Sequence, residues 1–262
     1  MKFRFYVLPF CFSRYAKGWI EVKAMQNLPE TVQSPKFPLP RVTDEANGEN
    51  SLVKIIEQLP PKSSLILYEQ TWEDYEQLLK SVGAASGLRI SFDSGTLEIM
   101  TLSTEHETYA RLLEKLIGVL SLRLNIDIES FGSATMRKSS AAKGIEPDAC
   151  FYVQSIEQIG SKIRLDFSVD PPPDIVVEID LYHESLDKFP IYAALGVAEI
   201  WRYAGDEFEI YKLTDGTYKS LEKSHSLPVL TAEFLGNLLN RSRQERQTQI
   251  LKEFENWLKE QK

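Results

Sequence analysis

The feature that most constrains the fold is a short β-branched run, Ile-Val-Val followed by Ile, within residues 175–179. A nearly continuous apolar run of this length is typical of a strand that is buried on both faces of a sheet. Two carboxylates, Glu178 and Asp180, interrupt and end the run. An ionised carboxylate in such a sheet is strongly unfavourable unless it is paired, hydrogen-bonded or bound to a metal ion.

The strand pattern predicts that these acids converge with a third. Glu178 and Asp180 are two residues apart, so a strand directs both side chains to the same face. Asp148 opens another strand-like segment directly after Pro147. If the strands are neighbours, the three carboxylates form an all-oxygen cluster, which suits Mg²⁺ or Mn²⁺ better than zinc. For any one acid alone, the alternative is an edge-strand position or one half of a salt bridge.

The rest of the pattern predicts one α/β domain with an appended arm and tail. We assign residues 51–239 to the domain and residues 240–262 to an amphipathic C-terminal helix that docks on the domain or on a second subunit. Residues 1–50 are predicted to be a disordered or poorly packed arm, in which the first 24 residues are interpreted as a disordered or misassigned extension. Further predicted elements are a helix from Thr71, a hairpin at 88–100, a helix from Ser103, a helix at 187–195 and strands at 199–203 and 208–212.

Composition excludes several classes of protein. A net charge of −8 argues against a protein that coats nucleic acid non-specifically, although a local basic groove remains compatible with it. The two cysteines, Cys11 and Cys150, are far apart and match neither a disulfide framework nor a zinc site. No apolar stretch approaches the ~20 residues of a membrane span. We therefore expect a soluble, cytoplasmic protein.

Two long strings resemble a known family. Residues 144–153 read GIEPDACFYV, and residues 173–203 contain PDIVVEID, SLDKFPIYAALG and VAEIWRY. They resemble the Uma-two family of restriction endonucleases, within the PD-(D/E)XK nuclease superfamily, and a looser likeness covers about residues 55–235. The resemblance implies a restriction-endonuclease-like fold, in which a mixed sheet is flanked by helices. It also implies Asp148 and Glu178 as metal ligands, and phosphodiester hydrolysis of nucleic acid, with DNA as the expected substrate.

The chain departs from the superfamily pattern at one position. A lysine usually lies two residues after the strand glutamate, and here that residue is Asp180. Within the family the lysine is expected on the following helix, which makes Lys188 the candidate, with a solvated surface lysine as the alternative. The resemblance also implies an acid from the helix near Ser103, for which we select Glu107 over Glu105. The alternative, which the pattern favours slightly, is that both glutamates are stabilising first-turn charges without a catalytic role.

Other residues receive weaker interpretations. A basic, Ser/Ala-rich segment leads into Asp148 and is predicted to be flexible, with phosphate contacts or plain solvation as its alternatives; its cations are Arg137, Lys138 and Lys143. Aromatic residues on strands are ordinarily core residues or cross-strand pairs, which is the interpretation for Trp201, Tyr203 and Phe208, with a stacking platform for single-stranded bases as the alternative. Tyr192 is interpreted as a core tyrosine that could line the site. His106 and His183 receive no role.

Three functions stay open at this point. The first is an enzyme, a metal-dependent endonuclease that uses Asp148, Glu178 and Lys188, with Asp180 as an additional or outer acid. The second is a binding module that keeps the fold but does not cleave, supported by Asp180 at the usual lysine position. The third is a scaffold that works through its C-terminal helix. A two-fold homodimer would be ordinary for a nuclease that cuts duplexes.

Overall fold

The computed structural model describes residues 20–23, 51–83, 87–181 and 187–261. The chain divides into two compact units, Met1–Ser103 and Thr104–Lys262. This division falls inside the range that the sequence pattern assigned to one domain. Four residues of the predicted N-terminal arm form a strand, and the rest of that arm lies outside the described residues.

The first unit combines helices with an antiparallel sheet of strand order β1-β2-β4-β3. The predicted hairpin is present, and its turn residues Ser94 and Gly95 have φ values of 47° and 102°, as a two-residue hairpin turn requires. The helix predicted from Thr71 is present, and Thr71 and Asp74 form a capping box at its start. The elements are β1 (Ile20–Lys23), α1 (Ser51–Glu57), β2 (Ser64–Leu67), α2 (Trp72–Val82), β3 (Leu88–Asp93) and β4 (Thr96–Thr101).

The second unit contains a six-stranded sheet of order β12-β11-β10-β9-β8-β5. Its central pair, β9 and β10, is parallel and the other pairs are antiparallel. The elements are α3 (Thr104–Leu124), β5 (Glu129–Ser130), β6 (Met136–Lys138), β7 (Lys143–Ile145), β8 (Ala149–Tyr152), α4 (Ile156–Ile159), β9 (Ile175–Asp180), α5 (Phe189–Leu195), β10 (Glu199–Ala204), β11 (Glu207–Thr214), β12 (Thr217–Leu221), α6 (Ala232–Arg241) and α7 (Gln247–Lys259). The predicted mixed sheet flanked by helices is confirmed.

The two faces of this sheet are covered differently. On one face, Val177, Trp201 and Tyr203 belong to the large apolar core that α3, α6 and α7 complete. On the other face, Val176 and Ile200 pack in a smaller cluster with residues of α5 and the β6–β7 hairpin. Strand alternation therefore assigns the even-numbered residues of β9 and β10 to the α5 face.

Helix α5 connects the two parallel strands, and its ends follow the sequence prediction. Pro190 lies in its first turn, where the missing N–H costs no helical hydrogen bond. Gly196 ends the helix with a φ of 84°, a left-handed conformation that glycine adopts without steric penalty. The short helix consequently begins at a fixed position immediately after Lys188.

Two predictions differ from the structure. The segment predicted to be flexible instead forms the antiparallel β6–β7 hairpin, because Met136 and Ile145 are buried against α5. The C-terminal region contains two helices, since the pattern that began at residue 240 is interrupted before Gln247. Arg243, between them, donates to Tyr109, Tyr203 and Asp206 and so fixes the break.

Helix α7 docks on the second unit, as one of the two alternatives predicted. Ile250, Phe254 and Leu258 are fully buried in the same core as α3. Within the part of the chain that the structure describes, no helix has the length and apolarity needed to cross a membrane.

Candidate active site

The candidate site lies at the C-terminal end of β9, on the face that α5 covers. Glu178 and Asp180 share this face, and the neighbouring strand β10 aligns Arg202 directly with Glu178. Val177 and Ile179 point to the opposite core. The predicted common face of the two acids thus follows from strand alternation.

Glu178 is held by the first turn of α5. Its side chain is 2% exposed. The Lys188 ammonium donates to its Oε2 atom, and the Tyr192 hydroxyl donates to its Oε1 atom. Lys188 and Tyr192 are four residues apart, so one helical turn presents both donors to the same carboxylate. The structure therefore brings Lys188 to Glu178, where the sequence placed it.

The electrostatic setting of Glu178 is unusual for a glutamate. Burial raises the pKa of its carboxyl to about 7, the charge of Lys188 opposes this rise, and the charges of Asp148 and Asp180 add to it. Burial lowers the pKa of Lys188, but the charges of Glu178, Asp180 and Asp148 and the hydrogen bond to Glu178 together outweigh this, so that pKa lies above its ordinary value. Burial and the adjacent carboxylate raise the pKa of Tyr192 well above its ordinary value. Lys188 is therefore a cation and Tyr192 a neutral donor near pH 7.

Asp148 is fixed from two sides. It is 2% exposed and precedes β8, where its backbone N–H donates to the Val177 carbonyl at 2.9 Å. Its Oδ2 atom accepts a hydrogen bond from the Ile179 N–H at 2.8 Å. The Asp148 carboxylate, just ahead of β8, therefore accepts a β9 backbone N–H in place of a main-chain carbonyl. His106 in the first turn of α3 contacts the same oxygen, with its Nε2 atom 3.1 Å away.

Asp180 is directed to a different partner. Its Oδ2 atom accepts a hydrogen bond from Arg202 Nε at 2.7 Å. The Nη1 atom of Arg202 lies 3.6 Å from Glu209 on β11. The side chains of Asp180 and Arg202 are 14% and 31% exposed, so this pair lies closer to solvent than Glu178. Asp180 is thus engaged by a cation on the next strand.

The structure does not bring Glu107 to this group of side chains. Glu107 lies 3.4 Å from Arg111 on the outer side of α3, and its side chain is 35% exposed. Adjacent helical positions differ by about 100° in direction, so α3 presents His106 instead. A signal was present in the sequence, because His106 continues the buried stripe of Tyr109, Ala110 and Leu113 by one turn.

The other residues that the sequence singled out lie partly in the core and partly on the surface. Trp201, Tyr203 and Phe208 are core residues, as predicted. Tyr192 is buried, as predicted for a core tyrosine, but it also contacts Glu178. His183 lies outside the described residues. The basic residues lie on the β6–β7 hairpin, where Arg137 and Lys138 are exposed and Lys143 is partly buried. Arg202 received no role from the sequence, although a cation between two apolar residues in a strand was visible there.

The site could hold a divalent cation, but with only two protein carboxylates as ligands. No group of three or more His, Cys, Asp or Glu side chains suited to a metal ion occurs among the described residues. Asp148 and Glu178 nevertheless provide two carboxylates, and Mg²⁺ is ordinarily held by one or two carboxylates plus water and substrate phosphate. Burial raises the pKa of Glu178 to about 7 although the charge of Lys188 opposes the rise. A dication at these two residues would add positive charge and favour the ionised carboxylate.

Comparison with known proteins gives one informative match. The model of the Uma2 family, described as "Putative restriction endonuclease", matches residues 72–242, well over half of the chain. No curated protein matches the sequence. A solved structure, that of a "putative nuclease belonging to DUF820" from Anabaena variabilis, is similar at 12% identity and a TM-score of 0.44. The likeness covers 65% of this chain and 99% of that chain, and at this TM-score it supports no inference.

Proposed function

Because the chain belongs to the Uma2 family, we propose that it is a metal-dependent nuclease that hydrolyses phosphodiester bonds in DNA. The observation that carries the proposal is the buried Glu178, which lies between Lys188 and Tyr192 with Asp148 close enough to influence its pKa. Buried carboxylates with strongly raised pKa values are concentrated at functional sites. We assign Asp148 and Glu178 as metal ligands and Lys188 as the catalytic cation.

The reaction is the hydrolysis of a phosphate diester. Mg²⁺ or Mn²⁺ held by Asp148 and Glu178 would polarise the phosphate and lower the pKa of an attacking water. The water oxygen forms a bond to phosphorus, the bond to the leaving sugar oxygen breaks, and that oxygen takes up a proton. The products are a phosphate monoester and an alcohol. Lys188, a cation near pH 7, stabilises the negative charge that develops on the phosphate oxygens.

Two further residues keep the acids in place. His106 contacts the Asp148 oxygen that also accepts the Ile179 N–H, so this carboxylate has two fixed neighbours. Tyr192 donates a hydrogen bond to one oxygen of Glu178, and Lys188 donates to the other. We propose both as positioning residues, since catalytic carboxylates act at well-defined geometry.

The acidic net charge limits how nucleic acid binds. With a charge of −8, affinity must come from local cations instead of the surface as a whole. Exposed Arg137 and Lys138 on the β6–β7 hairpin are suited to phosphate contacts. A homodimer would provide two sites for the two strands of a duplex, and we retain it as a proposal.

A binding module without cleavage is the second candidate function. The observation that favours it is Asp180, which occupies the position where the superfamily ordinarily has a lysine. In that case the fold and a metal ion would be retained, and the chain would bind nucleic acid without hydrolysing it.

The test compares two buried strand glutamates. Supercoiled, linear and single-stranded DNA and a single-stranded RNA are incubated with the wild type in Mg²⁺, in Mn²⁺ and in EDTA, together with Glu178→Gln and the control Glu199→Gln. We expect metal-dependent cleavage that falls about 1,000-fold in Glu178→Gln, since a metal ligand contributes several kcal/mol to the transition state. Glu199→Gln should retain the wild-type rate per folded molecule.

Each contrary result has a defined meaning. Equal cleavage by the wild type and Glu178→Gln would exclude this site. An absence of wild-type cleavage, combined with a melting temperature that rises with Mn²⁺ only when Glu178 is present, would select the binding module.

A further inference from the structure

We infer that Arg202 is the residue that contacts a phosphate group of the substrate, and that Asp180 positions Arg202 instead of binding the metal ion. The inference deepens the proposed function, on which it rests for the nature of the substrate. It starts from the pairing of β9 and β10, which aligns Arg202 with Glu178 and directs both side chains to the α5 face.

The negative charges at this end of the sheet mean that binding of a phosphate group requires a cation besides Lys188. The carboxylates of Asp148, Glu178 and Asp180 together repel an approaching phosphate. Lys188 is only 7% exposed and donates to Glu178. Arg202 is 31% exposed, so its guanidinium is the more accessible of the two cations on this face. A phosphate that reaches Glu178 therefore meets Arg202 at the more solvated position.

The partners of Arg202 fix the direction of its guanidinium. Asp180 accepts a hydrogen bond from the Nε–H group at 2.7 Å. Nη1 forms a longer ion pair with Glu209 at 3.6 Å, and Arg202 is close enough to Tyr211 to oppose the rise in the pKa of that phenol. A phosphate group at this partly exposed guanidinium would therefore replace Glu209 or Tyr211 at the Nη donors, whose fork matches the oxygens of a phosphate diester.

The arrangement of the acids also argues against Asp180 as a metal ligand. Among the described residues no three His, Cys, Asp or Glu side chains form a group suited to a metal ion, so Asp180 does not complete such a group with Asp148 and Glu178. Its Oδ2 atom instead accepts a hydrogen bond from Arg202. Burial lowers the pKa of Arg202, but the hydrogen bond to Asp180 and the charges of Asp180 and Glu209 together raise it above its ordinary value, so Arg202 remains a cation. Asp180 thus holds a second cation, Arg202, on the face of the sheet that carries Glu178.

The experiment uses the full chain and four variants: Arg202→Gln, Arg202→Lys, Asp180→Asn and the double variant Asp180→Asn/Arg202→Gln. The control is Arg123→Gln, which removes an arginine that pairs with Glu255 between α3 and α7. Three quantities are measured: binding of a labelled DNA duplex in EDTA, kcat and KM for cleavage in Mn²⁺, and the rise in melting temperature caused by Mn²⁺ alone.

Arg202→Gln should weaken duplex binding and raise KM by about 10-fold, while the melting rise with Mn²⁺ stays at the wild-type value. Asp180→Asn should have a smaller effect of the same kind, also with an unchanged melting rise. The double variant should equal Arg202→Gln, because Asp180 acts only through Arg202. Arg202→Lys should be intermediate, since it keeps the charge but loses the fork.

Two outcomes overturn the inference. Wild-type binding and KM in Arg202→Gln would exclude the phosphate contact. Loss of the Mn²⁺-induced melting rise in Asp180→Asn, but not in Arg202→Gln, would make Asp180 a ligand. If the wild type fails to cleave DNA, the proposed function fails, and the binding measurement in EDTA still tests Arg202 by itself.

Discussion

Glu178 and Glu199 are both buried glutamates on adjacent strands of one sheet, with 2% and 1% exposure, yet their surroundings differ completely. Glu199 accepts hydrogen bonds from three neutral donors: Trp201 Nε1 at 2.5 Å, the His225 N–H at 2.9 Å and the Ser226 N–H at 3.0 Å. Glu178 faces one cation, one phenol and two other carboxylates.

The difference separates a structural acid from a functional one. Neutral N–H donors satisfy the oxygens of Glu199 and tie a loop to the start of β10, which requires no further ligand. Glu178 instead lies among several ionisable groups, whose ion pairs and hydrogen bonds can be replaced by contacts with a ligand. Burial alone therefore does not identify a functional carboxylate, whereas the chemical nature of its partners does.

The largest expected effect that sharpens this comparison concerns the pH dependence of stability. Glu178 titrates near pH 7 in the folded protein and near 4.5 when unfolded. Between these values the native state binds more protons, so the free energy of unfolding falls by about 3 kcal/mol as pH rises from 4.5 to 7. Below pH 4.5 this contribution is fully present, and above about pH 7 it is lost.

Urea denaturation in EDTA at several pH values measures this slope. In Glu178→Gln the contribution to the slope should disappear, because the amide cannot titrate. Glu199→Gln should retain the wild-type slope, since it leaves Glu178 in place. A Glu178→Gln variant with an undiminished slope would show that another group is responsible.

Next in size is the effect of Lys188→Met on cleavage. We expect the rate at pH 7 to fall about 100-fold, because one preorganised donor to the phosphate charge is lost. The acid limb of the pH–rate profile should also move to higher pH, since the Lys188 charge lowers the pKa of Glu178. Lys162→Met, which breaks an ion pair between a half-exposed lysine and the buried Asp170, away from Glu178, is the control. A profile that keeps its position would count against the coupling of Lys188 and Glu178.

A smaller effect is expected on the structural side of the comparison. Glu199→Gln replaces one acceptor oxygen by an NH₂ group that faces N–H donors. The free energy of unfolding should therefore fall by about 2 kcal/mol, with no change in the cleavage rate. Chemical denaturation combined with an activity assay checks both statements. A reduced rate without a loss of stability would place Glu199 in the functional region.

The smallest effect is that of Tyr192→Phe, which tests the boundary between the two regions. Its phenol is buried like a core tyrosine but donates to Glu178. Loss of this hydrogen bond should lower the cleavage rate about 10-fold, which corresponds to about 1.4 kcal/mol. Steady-state kinetics and thermal melting separate the two roles. A lower melting temperature with an unchanged rate would show that Tyr192 has only a structural role in the core.

Much of the second unit could be predicted because its signals are local. The β-branched run of β9, Pro190 and Gly196 around α5, and the hairpin turn of the first unit depend on neighbouring residues. The placement of Lys188 beside Glu178 followed from the family resemblance and from its position at a helix start.

The partners that were missed depend on contacts between distant segments. His106 reaches Asp148 across 42 residues, and Arg202 reaches Asp180 only because β10 pairs in parallel with β9. Strand neighbours cannot be read from periodicity, so the sequence gave Arg202 no role. The β6–β7 hairpin was missed for a similar reason, since its apolar residues are few and its surroundings polar.

The hydrogen bond from the Ile179 N–H to Asp148 has a consequence for how such a chain can change during evolution. The distance between the two acidic residues is set by the spacing of paired strands. One inserted residue ahead of Glu178 would rotate that side chain into the apolar core and move Val177 to the α5 face. Length variation is therefore excluded within β9, whereas the loop from 160 to 173, outside the sheet, can lengthen without disturbing the pair of acids.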